Sequence, residues 1–467
     1  EIPKVAKEEW AADLKELKLR LIAAMMSWMR ARTFSTQTSP SQKIEALEGA
    51  WQQEENETLF QKQDGSPLSQ GEKDSLWTTR ILKALAASLD AHTSFYKTGE
   101  AYDIRLRLQK QFEGIGIAIK QKPEGFVISR ILEGSPAEKN GQIQPGDLLV
   151  QVDGETTDSL TFSHLMEILH DPKRGTLSLT LKHVSSSQGV ESLYTVSLKR
   201  QEITLKEGRV SVESRPFGDG LLGHITLDSF YQGDTVSAEE DVKKAWQELQ
   251  KKAPSRGLIF DIRNNSGGFL SQAVKVAGLF ITNGVIVISK YADGKEKVYR
   301  DVDSRRLYEG PLLVLTSKIT ASAAEILALA LQDYGVALVV GDEHTYGKGT
   351  IQMQTVTEPG SATYFKVTSG TYYGVGGTSP QLTGVKADLV VPGPWNHEEV
   401  GEVFAAEVLP SGPKIPAEFQ DSLKDVPFSQ RGWHLKYYTP SLQHPPVKWK
   451  KFLPILKKNS AYRIEHN

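Results

Sequence analysis

The first hundred residues carry apolar side chains at helical spacing. Trp10, Leu14 and Leu17 belong to one such series, and similar series run over 44–60 and 76–89. Residues three and four apart share one face of a helix, so the pattern predicts three amphipathic helices separated by polar linkers. This helical region shows packing residues and no evident chemistry, and it could form a dimer arm.

The pattern then changes to short β-runs. Apolar residues alternate over 114–119, and strand-like runs with Gly and Pro between them cover 125–132 and 177–183. One helix is predicted near 162–169, and the last strand of this region at 194–198. Short strands with this punctuation predict a compact β-rich module.

From about residue 203, strands and helices alternate. The predicted elements are a strand at 222–227, a helix at 238–252, a strand at 257–262, a helix at 270–279, a strand at 312–315, a helix at 323–334 and a strand at 336–340. Short, wholly apolar runs are typical of strands covered on both faces. The alternation therefore predicts an α/β domain with a partly parallel sheet.

Together these patterns predict a multidomain α+β protein. The four predicted parts are a helical N-terminal domain at 1–105, a β-rich domain at 106–200, an α/β domain at 201–395 and a Pro-, Lys- and aromatic-rich C-terminal extension at 396–467. The length of 467 residues and the 39% of hydrophobic residues are ample for several cores.

Charge and cysteine content exclude several functions. The chain has 55 Lys+Arg against 57 Asp+Glu, so no electrostatic bias toward nucleic acid is expected. Cysteine is absent, which excludes disulfide scaffolds, thiolate nucleophiles and Cys-based zinc sites. The longest apolar stretches, at 327–331 and 336–340, are far below the roughly 18–20 residues of a spanning helix. No membrane span is predicted, and any export signal is expected to be absent from this chain.

Most known catalytic motifs are missing. The sequence contains no Rossmann fingerprint after a strand, no Walker A loop, no H-E-x-x-H and no G-x-S-x-G. Ser94-Phe-Tyr-Lys97 and Lys97-Thr-Gly99 imitate two motifs of penicillin-recognising enzymes. We reject this resemblance because both motifs would share one lysine and the S-D-N element is missing.

Three segments of the α/β region could carry chemistry. Asp261-Ile-Arg-Asn-Asn-Ser-Gly-Gly268 follows a predicted buried strand, and its Gly-Gly pair could turn backbone amides toward a ligand. The alternative, which is favoured when this segment is taken alone, is a tight strand-to-helix turn. Lys318-Ile-Thr-Ala-Ser-Ala-Ala-Glu325 puts Ser322 at a helix start, where free N–H groups favour a developing negative charge. The alternative is that Ser322 is an N-cap and Glu325 completes a capping box.

The third segment is Tyr346-Gly-Lys-Gly-Thr-Ile-Gln352. Lys348 stands between two glycines, and a buried lysine loses its proton readily and can act as a general base. The alternative is an exposed turn with a solvated lysine. Together the three segments supply a nucleophile, a base and oxyanion donors, the requirements of Ser-Lys acyl transfer. A histidine base, His344 or His224, remains a less favoured alternative.

These segments resemble the carboxyl-terminal processing peptidases, or tail-specific proteases. The similarity covers roughly 75–392, and its strongest parts are Ile262-Arg-Asn-Asn-Ser-Gly-Gly268, Thr320-Ala-Ser-Ala-Ala-Glu-Ile326 and Gly347-Lys-Gly-Thr-Ile-Gln352. Asp90-Ala-His-Thr93 and Phe112-Glu-Gly-Ile-Gly116 also resemble family segments. The order of regions is most similar to the longer, periplasmic branch of the family, so the resemblance implies an exported bacterial protein.

The resemblance assigns roles in a ClpP/crotonase-like protease core. It implies that Ser322 is the nucleophile, Lys348 the base and Gln352 the residue that positions the lysine, with the amides of Gly268 and Ala323 as oxyanion hole. Two departures stand beside it: the family often has Ser or Thr in place of Ala324, and the separation 348 − 322 = 26 is one residue longer than usual. The reaction implied needs neither a metal nor a cofactor.

The β-rich module at 106–200 resembles a PDZ domain. The resemblance implies that Gly114, Ile115, Gly116 and Ile117 form its carboxylate-binding loop, to which a peptide is added as a strand. The expected partners are proteins with apolar C-terminal tails, together with a second copy of this chain through the helical N-terminal region. The competing hypotheses are an inactive PDZ scaffold that binds C-termini and a different acyl-transfer enzyme such as an esterase. The presence of both Ser322 and Lys348 favours the peptidase over the scaffold.

Overall fold

The structure is a computed structural model. It describes 65–466 except 123, 161, 172, 185–190, 303–305, 359–362, 397 and 437–446, together with 13–16, 18–20, 41, 44, 47–48 and 58–62. The first two predicted helical stretches therefore lie mostly outside the described residues. The chain divides into two compact units, one of Glu1–Leu76 and Gly114–Gln201, the other of Trp77–Glu113 and Glu202–Asn467.

Helices and strands are numbered along the described chain. The α-helices are α1 Gln70–Ala87, α2 Thr98–Gln109, α3 Pro136–Asn140, α4 Phe162–His170, α5 Ala238–Lys252, α6 Leu270–Gly278, α7 Ala323–Asp333, α8 Phe428–Lys436 and α9 Val447–His466. The strands are β1 Ser94–Tyr96, β2 Gln111–Gly114, β3 Ile117–Lys122, β4 Gly125–Ile131, β5 Leu148–Val152, β6 Glu155–Thr156, β7 Thr176–Val184, β8 Glu191–Lys199, β9 Gln201–Thr204, β10 Val210–Phe217, β11 Gly220–Leu227, β12 Ser255–Asp261, β13 Val285–Tyr291, β14 Glu296–Arg300, β15 Leu312–Thr316, β16 Leu338–Gly341, β17 Thr350–Gln354, β18 Tyr364–Tyr373 and β19 Leu389–Val390. Short 3-10 helices cover Thr157–Ser159 and Glu402–Phe404.

The first unit contains one antiparallel sheet. Its strand order is β3-β4-β5-β7-β8, with β6 paired to β5. Inward-facing residues of the strands, such as Phe126, Leu177 and Leu179, pack with Leu165 of α4 into one buried core. In β7, Leu177, Leu179 and Leu181 are buried and the residues between them are not, the alternation of a strand with one buried face. The first four residues of β4 are all buried instead.

The second unit contains a six-stranded sheet of order β10-β11-β12-β15-β16-β19. β10 is antiparallel to β11, and the remaining neighbours are parallel. The predicted helix at 238–252 is confirmed as α5, and the strands predicted at 257–262 and 312–315 are confirmed as β12 and β15 within about two residues. Parallel strands need crossover connections, which is why strands and helices alternate here.

A second sheet of the same unit was not predicted. It is antiparallel, with the order β1-β18-β13-β14 and β17 paired to β18. Helix α7, in which 323–331 are all buried, packs against β13 of this sheet, β16 of the other sheet and helix α6. A helix that is apolar on every side has to be covered on every side. The first turn of α7 therefore lies inside the fold.

Described residues of the segment after 396 contact the rest of the second unit, of which the segment is part. Ile415 N–H donates to Gly377 O (2.9 Å), and Glu418 N–H donates to Val375 O (2.7 Å). The Arg300 guanidinium contacts Asp425 at 3.0 Å. No helix among the described residues is both long and apolar enough to cross a membrane. Residues 77–113 and 396–436 thus share a compact unit with the α/β region, whereas the four predicted domains remain a prediction.

Candidate active site

The three predicted segments meet at one edge of the six-stranded sheet. Gly268 follows β12, Ser322 follows β15, and Lys348 follows β16. These three strands are parallel neighbours in the order β12-β15-β16, so their carboxyl ends share one edge. Ligand sites of parallel sheets form at this edge because the loops that follow the strands converge there.

Ser322 is the N-cap residue of α7 and has an unusual backbone. Its φ of 57° and ψ of −118° lie outside the regions that non-glycine residues normally occupy. Gly267 packs directly against it, since a Cβ at Gly267 would lie 2.9 Å from Ser322 Cβ and 3.2 Å from Ala323 N. Such strain persists only where the surroundings hold it, and it is concentrated at active sites. The Ser322 side chain is partly exposed.

Lys348 is partly buried, and two acceptors hold the end of its side chain. Its Nζ donates to Gln352 Oε1 (2.5 Å) and to Thr350 O (3.2 Å). Burial and the nearby charge of Lys366 lower the pKa of Lys348 to about 8, against the opposing effect of three carboxylates. A lysine whose pKa is this close to neutrality can take up a proton during a reaction.

Glu325 connects the serine segment to the lysine segment. Its buried carboxylate accepts hydrogen bonds from Ser322 N (2.8 Å), Lys348 N (2.9 Å), Gly347 N (2.7 Å) and Thr345 Oγ1 (2.5 Å). Burial raises the pKa of Glu325 to about 7, although these four hydrogen bonds lower it. The hydrogen bond from Ser322 N is the one that a capping box requires of Glu325. Glu325 therefore occupies the capping-box position that the alternative interpretation of this segment expected. The same carboxylate also fixes the lysine loop.

Tyr372 makes a second connection that the sequence did not reveal. Its hydroxyl lies 3.0 Å from Ser322 O and 2.6 Å from Lys348 O. Tyr372 is buried near the end of β18, in the sheet that the sequence analysis missed. No motif surrounds it in the sequence, and the pairing of β18 with β17 and with β13 brings it to the site.

The side chains of Ser322 and Lys348 are not hydrogen-bonded to each other. Among the described residues no bond joins Ser322 Oγ to Lys348 Nζ, although the backbones of both residues are bonded to Glu325 and Tyr372. Catalytic hydrogen bonds are often long in the absence of substrate and tighten in the complex. The structure thus brings the two residues together but does not form the pair.

The two predicted oxyanion donors are free to bind. Within the described part of the chain, neither Gly268 N nor Ala323 N donates a hydrogen bond. Gly268 has a φ of 144° and lies against the backbone of Phe230, where a Cβ would come within 2.3 Å of Phe230 O. Only glycine can occupy this position. Ala323 N is the first helical amide of α7, which has no partner within its own helix.

Two family profiles match the chain. The family described as Peptidase family S41 matches 221–391, and the PDZ domain family matches 103–182. The carboxy-terminal processing protease CtpA of Bacillus subtilis is 30% identical over 396 residues, which cover 84% of this chain and 75% of that protein. The chain belongs to peptidase family S41.

Other S41 relatives differ in length. The tail-specific protease of Haemophilus influenzae is 30% identical over 330 residues, which cover 69% of this chain and 46% of that protein. The chain therefore spans about half the length of that relative. Among solved structures, a photosystem II D1 C-terminal processing protease is 26% identical and covers 68% of this chain and 82% of its own, with a TM-score of 0.38. Membership of the S41 family rests on the sequence matches.

The predicted carboxylate-binding loop of this S41 family member lies at the start of its PDZ domain. Gly116 has a φ of 81°, and its carbonyl accepts from Leu132 N (2.9 Å). Ile115 is buried, and its carbonyl accepts from Ala137 N (3.0 Å). Within the described residues, neither the Ile115 amide nor the Gly116 amide donates a hydrogen bond. Gly114 ends β2 and Ile117 begins β3, so the four residues form the turn into the sheet.

The histidines have other contacts. His344 Nδ1 lies 2.8 Å from Thr345 O, and His224 Nε2 lies 3.2 Å from Asp261 Oδ2. Among the described residues, no histidine is hydrogen-bonded to Ser322. Because Lys348 Nζ is not hydrogen-bonded to Ser322 Oγ either, hydrogen bonds to this serine do not distinguish the lysine from the histidines. What joins Ser322 to Lys348 is Glu325, whose carboxylate accepts from the backbone N–H of both residues.

Proposed function

We propose that this protein is a serine endopeptidase that binds proteins by their exposed apolar C-terminal tails and cleaves them through an acyl-enzyme on Ser322. The observation that carries the proposal is Glu325 Oε2, which accepts hydrogen bonds from both Ser322 N (2.8 Å) and Lys348 N (2.9 Å). One carboxylate oxygen thereby holds a strained serine and a lysine of lowered pKa at the same place. Membership of family S41 supports the same reaction class.

In the first step, neutral Lys348 Nζ accepts the hydroxyl proton of Ser322 while Ser322 Oγ attacks the scissile carbonyl carbon. The charge that develops on the carbonyl oxygen is stabilised by the free amides of Gly268 and Ala323. The ammonium of Lys348 then returns its proton to the leaving amine. Gln352 holds Nζ during this exchange through its Oε1.

In the second step, Lys348 takes a proton from water. The hydroxide equivalent attacks the acyl ester on Ser322, and the proton returns to Ser322 Oγ when the ester bond breaks. Both steps need Oγ to approach Nζ. Because the backbones of Ser322 and Lys348 are held by Glu325 and Tyr372, this approach requires movement of side chains rather than of loops.

Substrate choice is proposed to lie in the PDZ domain. The unbonded amides of Ile115 and Gly116 can take up a terminal carboxylate, and the peptide can pair with the edge of the sheet. Export to the periplasm rests on the resemblance to the longer branch of the family, and a homodimer rests on the helical pattern of the N-terminal region. Cell fractionation and sedimentation equilibrium of the full chain test these two proposals.

The experiment compares the wild type with Ser322→Ala, Lys348→Ala and Lys295→Ala. Lys295 is a matched control because it is an exposed surface lysine. Each protein is incubated with one unstable substrate that carries an apolar tail, a charged tail or an amidated apolar tail. We expect the wild type and Lys295→Ala to cleave the apolar-tailed substrate fastest, and both active-site variants to lose at least about a hundredfold.

The alternatives give different results. Equal cleavage by all four proteins would show that the assigned pair is wrong. Tight binding of apolar tails without cleavage by any of them would favour the PDZ scaffold. Equal cleavage of the free and amidated tails would remove the proposed role of the Ile115 and Gly116 amides.

A further inference from the structure

The side-chain amide of Gln352 presents one acceptor and one donor, and which of them faces Lys348 matters. Lys348 Nζ lies 2.5 Å from Gln352 Oε1. On the other side, Gln352 Nε2 donates to Thr350 Oγ1 (2.9 Å) and Thr368 Oγ1 (3.3 Å). If the amide were rotated by half a turn, Lys348 would meet a second donor and lose this hydrogen bond. Something has to select the orientation.

Asp90 lies at the far end of the same hydrogen-bond chain. Its carboxylate is buried and accepts from His92 N (2.9 Å), Thr93 N (3.0 Å), Thr93 Oγ1 and Thr368 Oγ1 (2.7 Å). Burial alone raises the pKa of Asp90, but these hydrogen bonds outweigh it and the pKa is lowered. Asp90 is therefore ionised at neutral pH, and an ionised carboxylate can only accept.

This acceptor sets the direction of every bond that follows. Thr368 has one hydroxyl hydrogen, and it is used on Asp90 Oδ1, so Thr368 Oγ1 can only accept from Gln352. The amide nitrogen of Gln352 must then face Thr368, which leaves Oε1 for Lys348. The chain runs from Lys348 through Gln352 and Thr368 to Asp90.

We propose that Asp90 is a positioning residue that acts through Thr368 to hold Gln352 with its oxygen toward Lys348. The proposal rests on the proposed role of Lys348 as the base. A neutral lysine amine has two hydrogens, and here both are directed at acceptors, Gln352 Oε1 and Thr350 O. The lone pair of Nζ is then the part that remains for the hydroxyl of Ser322.

Strand pairing explains how a residue so far along the chain reaches this site. Asp90 precedes β1, which pairs with β18, and Ser94 stands opposite Lys366. Thr368 N also donates to Thr93 Oγ1 (3.1 Å), so the turn that begins at Asp90 is held against β18 on both sides. The sequence singled out Asp90-Ala-His-Thr93 only for its resemblance to a family segment. In this proposal the segment orients Gln352 through Thr368.

Thr368→Val tests the proposal, with Thr368→Ser as its matched control. Valine keeps the volume but can neither donate nor accept, so Gln352 keeps only Thr350 Oγ1 on that side. Because a threonine hydroxyl can donate as well as accept, Thr350 by itself does not select the orientation of the amide. We expect kcat for the apolar-tailed substrate to fall about tenfold or more with KM little changed, and serine to recover most of it. Asp90→Ala combined with Thr368→Val should lose no more than the worse single variant, because both remove one chain.

A second readout does not need activity. The pKa of Lys348 is measured by NMR of selectively labelled lysine in the wild type and in Thr368→Val. Oε1 favours the ammonium, so its loss should lower the pKa by about half a unit to one unit. The other charged groups that face Lys348 are Lys366, Glu402, Glu325 and Asp90, and all remain in this variant.

The results separate two failures. An unchanged pKa together with unchanged kcat in Thr368→Val would overturn the role of Asp90 and Thr368. If the pKa falls in Thr368→Val while Ser322→Ala still cleaves, the orientation chain is supported and the proposed role of Ser322 is wrong. If the fold-reduction in kcat of the double variant equals the product of the two single reductions, Asp90 acts by another route. Thermal unfolding of each variant identifies those that fail to fold, and the comparison of Thr368→Val with Thr368→Ser remains decisive if Asp90→Ala is among them.

Discussion

Lys348 is surrounded by groups that act on its charge in opposite directions. Burial has the largest effect and lowers its pKa, and Lys366 lowers it further, whereas the carboxylates of Glu402, Glu325 and Asp90 raise it. The net result is a pKa of about 8 instead of the ordinary 10.5. At pH 7 about a tenth of the lysine is then neutral, a fraction several hundred times that of an unperturbed lysine.

This pKa predicts the pH dependence of cleavage. Because a general base must be unprotonated, kcat/KM should rise about tenfold per pH unit below pH 8 and level off above it. Lys366→Met removes the nearby positive charge, so the pKa of Lys348 should rise and the midpoint should move to higher pH. The measurement is kcat/KM against pH, with Lys295→Met as a surface control. A midpoint near pH 6.5 that does not change in Lys366→Met would instead indicate that a histidine is the general base.

At the scale of elements, the site lies where helix α7 begins between two sheets. The parallel strands β12, β15 and β16 supply the loops, and β18 of the antiparallel sheet supplies Tyr372. The parallel strands and α7 were predictable because each has a strong local apolar pattern. The antiparallel sheet was missed although β13 has a wholly buried apolar run at 285–288. Its partners β1 and β18 are harder to recognise, because they pair across more than 260 residues and are exposed or half-buried over most of their length.

Tyr372→Phe tests the contribution of that second sheet. Loss of the hydroxyl leaves the carbonyls of Ser322 and Lys348 without a shared donor, so the two residues should be held less closely. We expect kcat to fall about tenfold and the free energy of unfolding to fall by about 1 kcal/mol. Tyr373→Phe is the control, because adjacent residues of a strand face opposite sides. Equal effects of both variants on kcat in steady-state assays would argue against a specific role.

At the scale of the whole molecule, the α/β region is completed by residues far from it in sequence. Glu402, in the predicted C-terminal extension, accepts from His92 Nε2 (2.8 Å) and from Gln381 Nε2 (3.1 Å). Gln381 Oε1 in turn accepts from Gly349 N (2.7 Å), next to Lys348. A buried carboxylate with several partners is costly to disturb, because its partners lose their acceptor inside the fold.

Glu402→Gln should therefore affect both stability and pH dependence. The glutamine has only one acceptor oxygen for His92 and Gln381, so we expect unfolding to become easier by about 1–3 kcal/mol. Removal of the negative charge should also lower the pKa of Lys348 and move the midpoint of kcat/KM to lower pH. Urea unfolding and a pH series measure the two effects, with exposed Glu398→Gln as control. A Glu402→Gln protein with wild-type stability and pH profile would show that the extension does not support the lysine loop.

The amino-acid sequence alone predicts the family, the order of strands and helices in the α/β region, and the candidates Gly268, Ser322 and Lys348. It could do so because each candidate stands in a short segment directly after a predicted strand, and such segments carry their information locally. Tertiary structure alone decided that Asp90, Tyr372 and Glu402 surround the same lysine, and that Ser322 adopts a positive φ. These properties arise from strands that pair across long stretches of sequence and from side chains that become buried where distant segments pack together. For the same reason the pKa of Lys348 is a property of the folded chain, because burial and the charges of its neighbours set it.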